Sequence, residues 1–390
     1  MRTRTLAASA LLAASLGTGT ASAQYRLRAD AFFSAPDPAT GMLILSGESR
    51  NPSWLTADTV VWLGANTDHA GDVMVASVRA REPNGYAEAR VGRMMVAPGA
   101  IRPVHLDGID LTGRAPWGTS VEAFGGMPVV STFQPRDYDW AVGGRLAQRF
   151  SQYATVGVSY LQMRQTGALA YEEMGVDGTV HATTWLDAAF TGALDLQALD
   201  LADARASLSA RFSKVRFELF AVRRSPSHLL PATSLFSALG DIPSQRAGGS
   251  VLWRPAPRLD VLGEGAIESI GGDLGAQGLL RATLRLDDKG AGALGLEGRR
   301  QSTPGASWTG VRGTARVPIG KKLAASTELE IVAPDDPRGR GAVWPWGLVA
   351  LRYRVVRAWE VAGAVEASAS PTAVSAVSGM LRCSYVWEHK

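Results

Sequence analysis

Between Leu201 and Lys214 the chain reads L-A-D-A-R-A-S-L-S-A-R-F-S-K. Ala202, Ala204, Ala206, Leu208, Ala210 and Phe212 fall on one set of alternate positions. Asp203, Arg205, Ser207, Ser209 and Arg211 fall on the other. A strand turns successive side chains to opposite faces, so this stretch predicts a strand with one apolar and one polar side. The rhythm recurs from Trp140 to Trp387. Val142 and Leu146 oppose Arg145 and Arg149. Phe217 and Leu219 oppose Arg216 and Glu218. Leu280, Ala282 and Leu284 oppose Arg281 and Arg285. Val311 and Val317 oppose Arg312 and Arg316; Leu329 and Ile331 oppose Glu328 and Glu330. Val349, Leu351 and Tyr353 oppose Arg352 and Arg354; Val361 and Val365 oppose Glu360 and Glu366.

The connections between these runs sort into two sets. Short ones are 151–153, Asp177-Gly178, Ser213-Lys214, 254–257, 287–290, 320–322 and Arg357-Ala358, all of turn composition. Looser ones are 191–200, 225–245, 269–275, 301–307, 333–343 and 370–375. The two sets alternate, given a strand over 167–176 entered through a tight outer turn. Short periplasmic turns opposite longer outer loops are the layout of an outer-membrane barrel. Fifteen strands follow from Trp140 onward. With both termini at the short-turn end, an odd number must precede them. The candidates are 25–33, 59–65, 72–82, 86–96 and 120–126. The expectation is an all-β, antiparallel, up-and-down transmembrane β-barrel of about 18 strands, with a range of 16–20. The competing fold is a soluble secreted sandwich or propeller, which also alternates. Against it, the apolar faces carry much Ala and Gly, and the polar faces carry charge at strand centres. Trp140, Tyr160, Trp308, Tyr353, Trp359, Tyr385 and Trp387 near strand ends would form interfacial girdles.

The N-terminus bears on compartment. Arg2 and Arg4 precede an apolar core over 6–16, and Ala21-Ser22-Ala23 precedes Gln24. This pattern predicts a secretory signal peptide over 1–23, cleaved near Ala23, and a single barrel domain over 24–390. Loss of Arg2 and Arg4 would lower the formal charge from +4 to +2, too little to imply nucleic acid. The lone cysteine, Cys383, excludes an internal disulfide framework and a cysteine metal cluster. Beyond residue 23 no apolar run of 18 residues occurs, which excludes a helical membrane protein. Mean hydropathy is near zero, and barrels hide in such averages because their two faces cancel.

Val377, Gly379, Leu381, Cys383, Tyr385 and Trp387 share one face of the final run. A last strand closing on Tyr-x-Trp resembles the signal read by the outer-membrane barrel-assembly machinery, although Glu388-His389-Lys390 follow. Arg90-Val91-Gly92-Arg93, then Leu106-Asp107-Gly108, then Val121-Glu122-Ala123-Phe124-Gly125-Gly126 resemble the N-terminal half of alginate-export-type and related porins. That resemblance implies the barrel class and no particular solute.

The chemistry expected of such a chain lies in its lumen. Arg145, Arg149, Arg205, Arg211, Arg281, Arg285, Arg299, Arg312, Arg316, Arg352 and Arg354, with Asp203, Glu297 and Glu328, form the predicted pore lining. An Arg-rich lumen favours anions, whereas cross-strand ion pairing would leave those charges merely solvating the wall. The loop 225–245 carries Leu229, Leu230, Leu235, Phe236 and Leu239, a stripe that could fold inward and narrow a channel. His69, His105, His181, His228 and His389 lack metal-ligand spacing, and no G-x-S-x-G occurs. His181 near Asp187 is the one pairing an enzyme would use. The expectation is a non-enzymatic Gram-negative outer-membrane channel passing small hydrophilic solutes, with mild anion preference and no cofactor. Its partners would be outer-membrane lipid, its solutes and the assembly machinery. A plugged structural or adhesion barrel is the alternative within the membrane.

Overall fold

The computed structural model describes residues 24–35, 40–51, 54–65, 71–129, 138–224, 244–303, 307–337, 342–369 and 376–389. They form 22 strands. In chain order these are β1 (Gln24–Ala35), β2 (Thr40–Asn51), β3 (Leu55–Ala65), β4 (Gly71–Arg81), β5 (Ala87–Val96), β6 (Val104–Arg114) and β7 (Thr119–Pro128). Next come β8 (Trp140–Phe150), β9 (Ala154–Gln165), β10 (Ala168–His181), β11 (Leu186–Asp195), β12 (Asp200–Arg211), β13 (Val215–Arg224) and β14 (Ser244–Ala256). The last are β15 (Leu259–Ile270), β16 (Asp273–Arg285), β17 (Ala293–Ser302), β18 (Trp308–Ile319), β19 (Leu323–Pro334), β20 (Trp344–Arg354), β21 (Trp359–Ser368) and β22 (Ala376–His389). Each pairs antiparallel with its sequence neighbours, and β1 pairs with β22 in unbroken register from Tyr25↔His389 to Ala35↔Gly379. The sheet therefore closes on itself and has no free edge.

Closure explains which faces are apolar. Leu280, Leu296 and Leu329 expose 63%, 62% and 61% of their surface, all outward and near strand centres. A water-soluble sandwich would bury such residues between sheets. Here the outward side is the dry side, and the soluble reading fails. Among the described residues, outward charges occur only toward the outer ends of strands. Arg93 meets Asp107 at 2.8 Å, Arg223 meets Asp200 at 3.0 Å and Arg300 meets Asp335 at 2.5 Å. At the opposite end Trp54, Trp117, Trp185, Trp253, Tyr353, Trp359 and Trp387 ring the exterior, and Trp359 packs on Tyr385 with centroids 4.7 Å apart. That end also holds Gln24, His389 and the links 151–153, 212–214, 257–258 and 320–322, which marks it as periplasmic. Trp140 and Tyr160 belong to the outer girdle. Trp308 does not: it shares the inner face of β18 with Arg312.

The strand count is 22, not about 18, and lies outside the expected range. All five N-terminal candidates are strands, as are the fifteen from Trp140 onward. The two missed are β2 and β6. The outer half of β2 carries Met42 and Ile44 inward with Leu43 and Leu45 outward, so polar alternation begins only at Ser46. β6 inverts its pattern at Gly108. Before it Val104 and Leu106 face in and Asp107 faces out; after it Ile109 and Leu111 face out and Asp110 faces in. An Asp-Gly pair at such an inversion reads as a turn, yet it lies inside the strand. Asp177-Gly178 misleads in the same way, because the link after β10 is 182–185. Conversely, 269–275 holds a tight turn at Gly271-Gly272, both with positive φ, and not an open loop. In β12 a bulge near Ala193/Leu194 sets Leu201 opposite Leu194, so the alternation is regular only from Asp203 onward.

Two substitutions in β12 test the assignment of faces. Ala206→Arg places a guanidinium in hydrocarbon and should destabilise the barrel by about 2–4 kcal/mol, measured by urea unfolding in lipid vesicles. Ser207→Arg, one position on, should cost little. Equal losses would mean that the faces are misassigned.

Candidate functional site

The inner wall is held by ion pairs that cross between strands. Arg281, Glu297, Arg312 and Glu330 stand in one register row across β16–β19. Arg281 and Arg299 both hold Glu297, Arg299 reaches Glu330 at 3.3 Å, and Arg312 holds Glu328. Arg285 and Arg254 share Asp260, the latter at 2.7 Å. Arg211 holds Asp187. Glu360 takes Arg382 at 2.7 Å and Arg352 at 3.9 Å. Across the closing seam Ser384 donates to Asp30 at 2.6 Å, and Arg28 clasps the same carboxylate. Most of the expected pore arginines are thus tied to carboxylates.

Four are not. Arg149, Arg205, Arg316 and Arg354 are exposed on the inner face with no ion pair among the described residues. Register supplies the reason. Arg149 stands opposite Thr155, Arg205 opposite Thr191 and Val222, and Arg316 opposite Ser326. Arg354 does stand opposite Glu360, but Arg382 and Arg352 already occupy that carboxylate. Asp110 and Glu122 are half-buried inner carboxylates on β6 and β7; they make no close ion pair but stand opposite Arg90 and Arg145, which partly offset their charge. Unpaired positive charge is left on β8, β12, β18 and β20. Asp203 retains a polar partner of its own.

The element that narrows the lumen is the link 97–103 between β5 and β6. It folds inward against β8, β9 and β10. Arg102 N donates to Glu173 Oε1 at 2.9 Å, and Ala100 N reaches Ser159 Oγ at 3.4 Å. The Arg102 guanidinium lies 4.9 Å from the Tyr171 ring centre, and the Tyr171 hydroxyl donates to Glu173. Glu173 is 0% exposed, so its charge depends on these partners. Ile101 and Val96 join Met94, Val104, Leu106, Phe124, Ala141, Leu161 and Met163 in a small apolar core inside the barrel. Close approach is possible because the wall beneath is bare. A Cβ on Gly175 would lie 3.0 Å from the Ala100 Cβ; one on Gly99, whose φ is +65°, would lie 2.6 Å from Asp177 Oδ1. A Cβ on Gly157 would lie 2.7 Å from the Arg145 guanidinium, which grips Asp177 with its Nε at 2.9 Å.

Sequence reasoning looked for an inward loop at 225–245, of which 225–243 lie outside the described residues. The signal for the inward link at 97–103 was the apolar run from Met94 to Val96, where alternation stops. The three motifs that resemble porins converge beside it. Gly92, Gly108 and Gly126 stand in one register row across β5–β7, and a Cβ on Gly108 would lie 2.1 Å from Gly125 O.

His181 Nδ1 lies 2.6 Å from Asp187 Oδ1, and Ser209 stands across from Asp187 on the next strand. In that row the carboxylate is in the middle. Serine hydrolysis needs the imidazole between acid and nucleophile, so the row is not a triad.

No family model and no curated protein matches the chain. Solved structures do. A siderophore receptor of Pseudomonas aeruginosa, PirA, superposes with a TM-score of 0.57 at 9% identity over 95% of this chain and 81% of its own. The translocation pore of the P pilus usher, PapC, superposes with a TM-score of 0.50 at 9% identity over 93% of this chain and 99% of its own. OccK3 (OpdO) of P. aeruginosa gives 0.44 at 13% identity over 94% and 95%. At such identities PirA and PapC show a likeness of fold alone, that of a closed antiparallel β-barrel.

Gly99→Val tests the seating of the inner loop. It adds a branched side chain at a positive φ and against Asp177. With Cys383→Ser as background, a cysteine at Ile101 should react slowly with a water-soluble maleimide. Adding Gly99→Val should speed that reaction at least about tenfold, since the loop would leave its cradle. Equal rates would mean that 97–103 is not held as described.

Proposed function

We propose that the protein is an outer-membrane channel through which small hydrophilic solutes diffuse, with a mild preference for anions. The observation that carries this reading is the division of the wall: lipid-facing apolar side chains outside, and inside a lining of charges that only water could solvate. The inner loop covers the arc of β8–β10. Elsewhere the described inner wall mixes apolar side chains such as Ile44, Trp62 and Leu279 with charged ones, among them the exposed Arg205, Arg316 and Arg354. Free guanidiniums outside ion pairs attract anions, and the carboxylates that could cancel them are engaged or half-buried.

One observation favours the alternative of a plugged barrel. Barrels of 22 strands are wide enough to need filling, and transporters of that size carry a plug. The apolar core around Met94 shows that part of this lumen is filled.

Planar-bilayer conductance separates the two. The channel reading expects discrete current steps from purified protein, and their absence would favour the plugged barrel. In a salt gradient the reversal potential should have the sign of anion selectivity. Arg149→Gln combined with Arg205→Gln should move it toward zero. Clear cation selectivity in the unaltered protein would refute the anion preference while leaving the channel intact.

A further inference from the structure

Positive charge is unevenly placed along the barrel axis. Lys214, Lys289, Lys321 and Lys322 all lie in links at the periplasmic end. The concentration is greatest over β18–β21. Arg316, Lys321, Lys322, Arg354 and Arg357 are all exposed there. The two links are stapled together: Arg354 N donates to Lys322 O at 2.8 Å, and Lys322 Nζ donates to Val355 O at 3.2 Å. This bond sets the Lys321-Lys322 turn beside Arg354 and Arg357. The neighbouring carboxylates are engaged. Glu360 is held by Arg382, Asp288 by Arg258 at 2.7 Å, and Asp287 by backbone N–H groups of its own turn at Lys289, Ala291 and Gly292. Those N–H groups also hold the Asp287 carboxyl below the usual range, so it stays ionised and bound within its turn.

We propose that this sector is a binding site for multiply charged oxyanions of the phosphate class at the periplasmic mouth. Several cations within one Debye length, with no free carboxylate among them, concentrate polyanions far more than monovalent ions. Guanidiniums further suit tetrahedral oxyanions through paired N–H donors. Arg316 and Arg354 project on the inner face while Lys321, Lys322 and Arg357 lie in turns. The site therefore spans the rim of the lumen, and its occupant is a solute in the aqueous phase and not a lipid headgroup. The consequence for a channel is polarity: a polyanion should enter and block from the periplasmic side.

The test uses inorganic tripolyphosphate as probe. Its binding to the detergent-solubilised full-length protein is measured by calorimetry, which needs no conduction. The fourfold variant Lys321→Gln, Lys322→Gln, Arg354→Gln, Arg357→Gln should bind at least about tenfold more weakly. Lys214→Gln removes a like charge on a distant link at the same end and should leave binding unchanged; heat-modifiable gel migration confirms that both variants fold. In neutral-lipid bilayers, with a C-terminal tag marking the side, tripolyphosphate should block the current from the tagged side at about tenfold lower concentration than from the other. The effect should vanish near 1 M salt, where the Debye length is about 3 Å. Equal binding by the fourfold variant, or equal block from both sides, would overturn the site. So would binding that appears only when phosphatidylglycerol is present and never with free tripolyphosphate. Absence of any current, with binding intact, would instead overturn the channel reading and leave the site standing.

Discussion

Hydrocarbon offers the backbone no hydrogen-bond partner, so every N–H and C=O that crosses a membrane must be paired within the protein. For strands this condition is met only by a closed sheet. Closure makes each strand two-faced, with lipid on one side and the enclosed space on the other. The period of two in the sequence, the exposed outward leucines and the inner ion pairs are consequences of that one requirement. Even the outward charges obey it, because Arg93, Arg223 and Arg300 stand toward the outer strand ends, where headgroups begin.

The inside is more varied than a two-faced wall demands. Where a strand is apolar on both faces, its inner side cannot be left against water without cost. At Met94 and Leu106 the answer is visible: the link 97–103 turns inward and buries them. The sheet admits this chain through small residues at Gly157 and Gly175, and its strands approach closely at the row Gly92–Gly108–Gly126. A loop anchored by Arg102 and Glu173 is thereby part of the wall's own packing and not an appendage to it.

The barrel class, the polarity of the strands and the fifteen strands after Trp140 were legible because two-faced strands write a period of two directly into the sequence. The full count was not, because the outer halves of β2 and β6 have apolar inner faces, so their pattern reports neighbours within the lumen and not the membrane. Turn chemistry failed for a related reason. Asp-Gly inside β6 and β10 serves a register row and an inner salt bridge with Arg145, which a one-dimensional reading assigns to loops. The candidate site was half legible. All the predicted arginines lie on inner faces, but which are paired depends on register, as Arg316 opposite Ser326 and Arg281 opposite Glu297 make plain. The inward link 97–103 went unread, because its signal was only the short apolar run from Met94 to Val96.

The seam between β1 and β22 bears on how the chain comes to be made. Asp30, near the beginning, is satisfied by Ser384, near the end, so the first strand synthesised waits for the last. No nascent fragment can shut its edges, and each remains a sticky ribbon until translation is complete. Such a sheet reaches its full hydrogen bonding only once its last strand has joined its first.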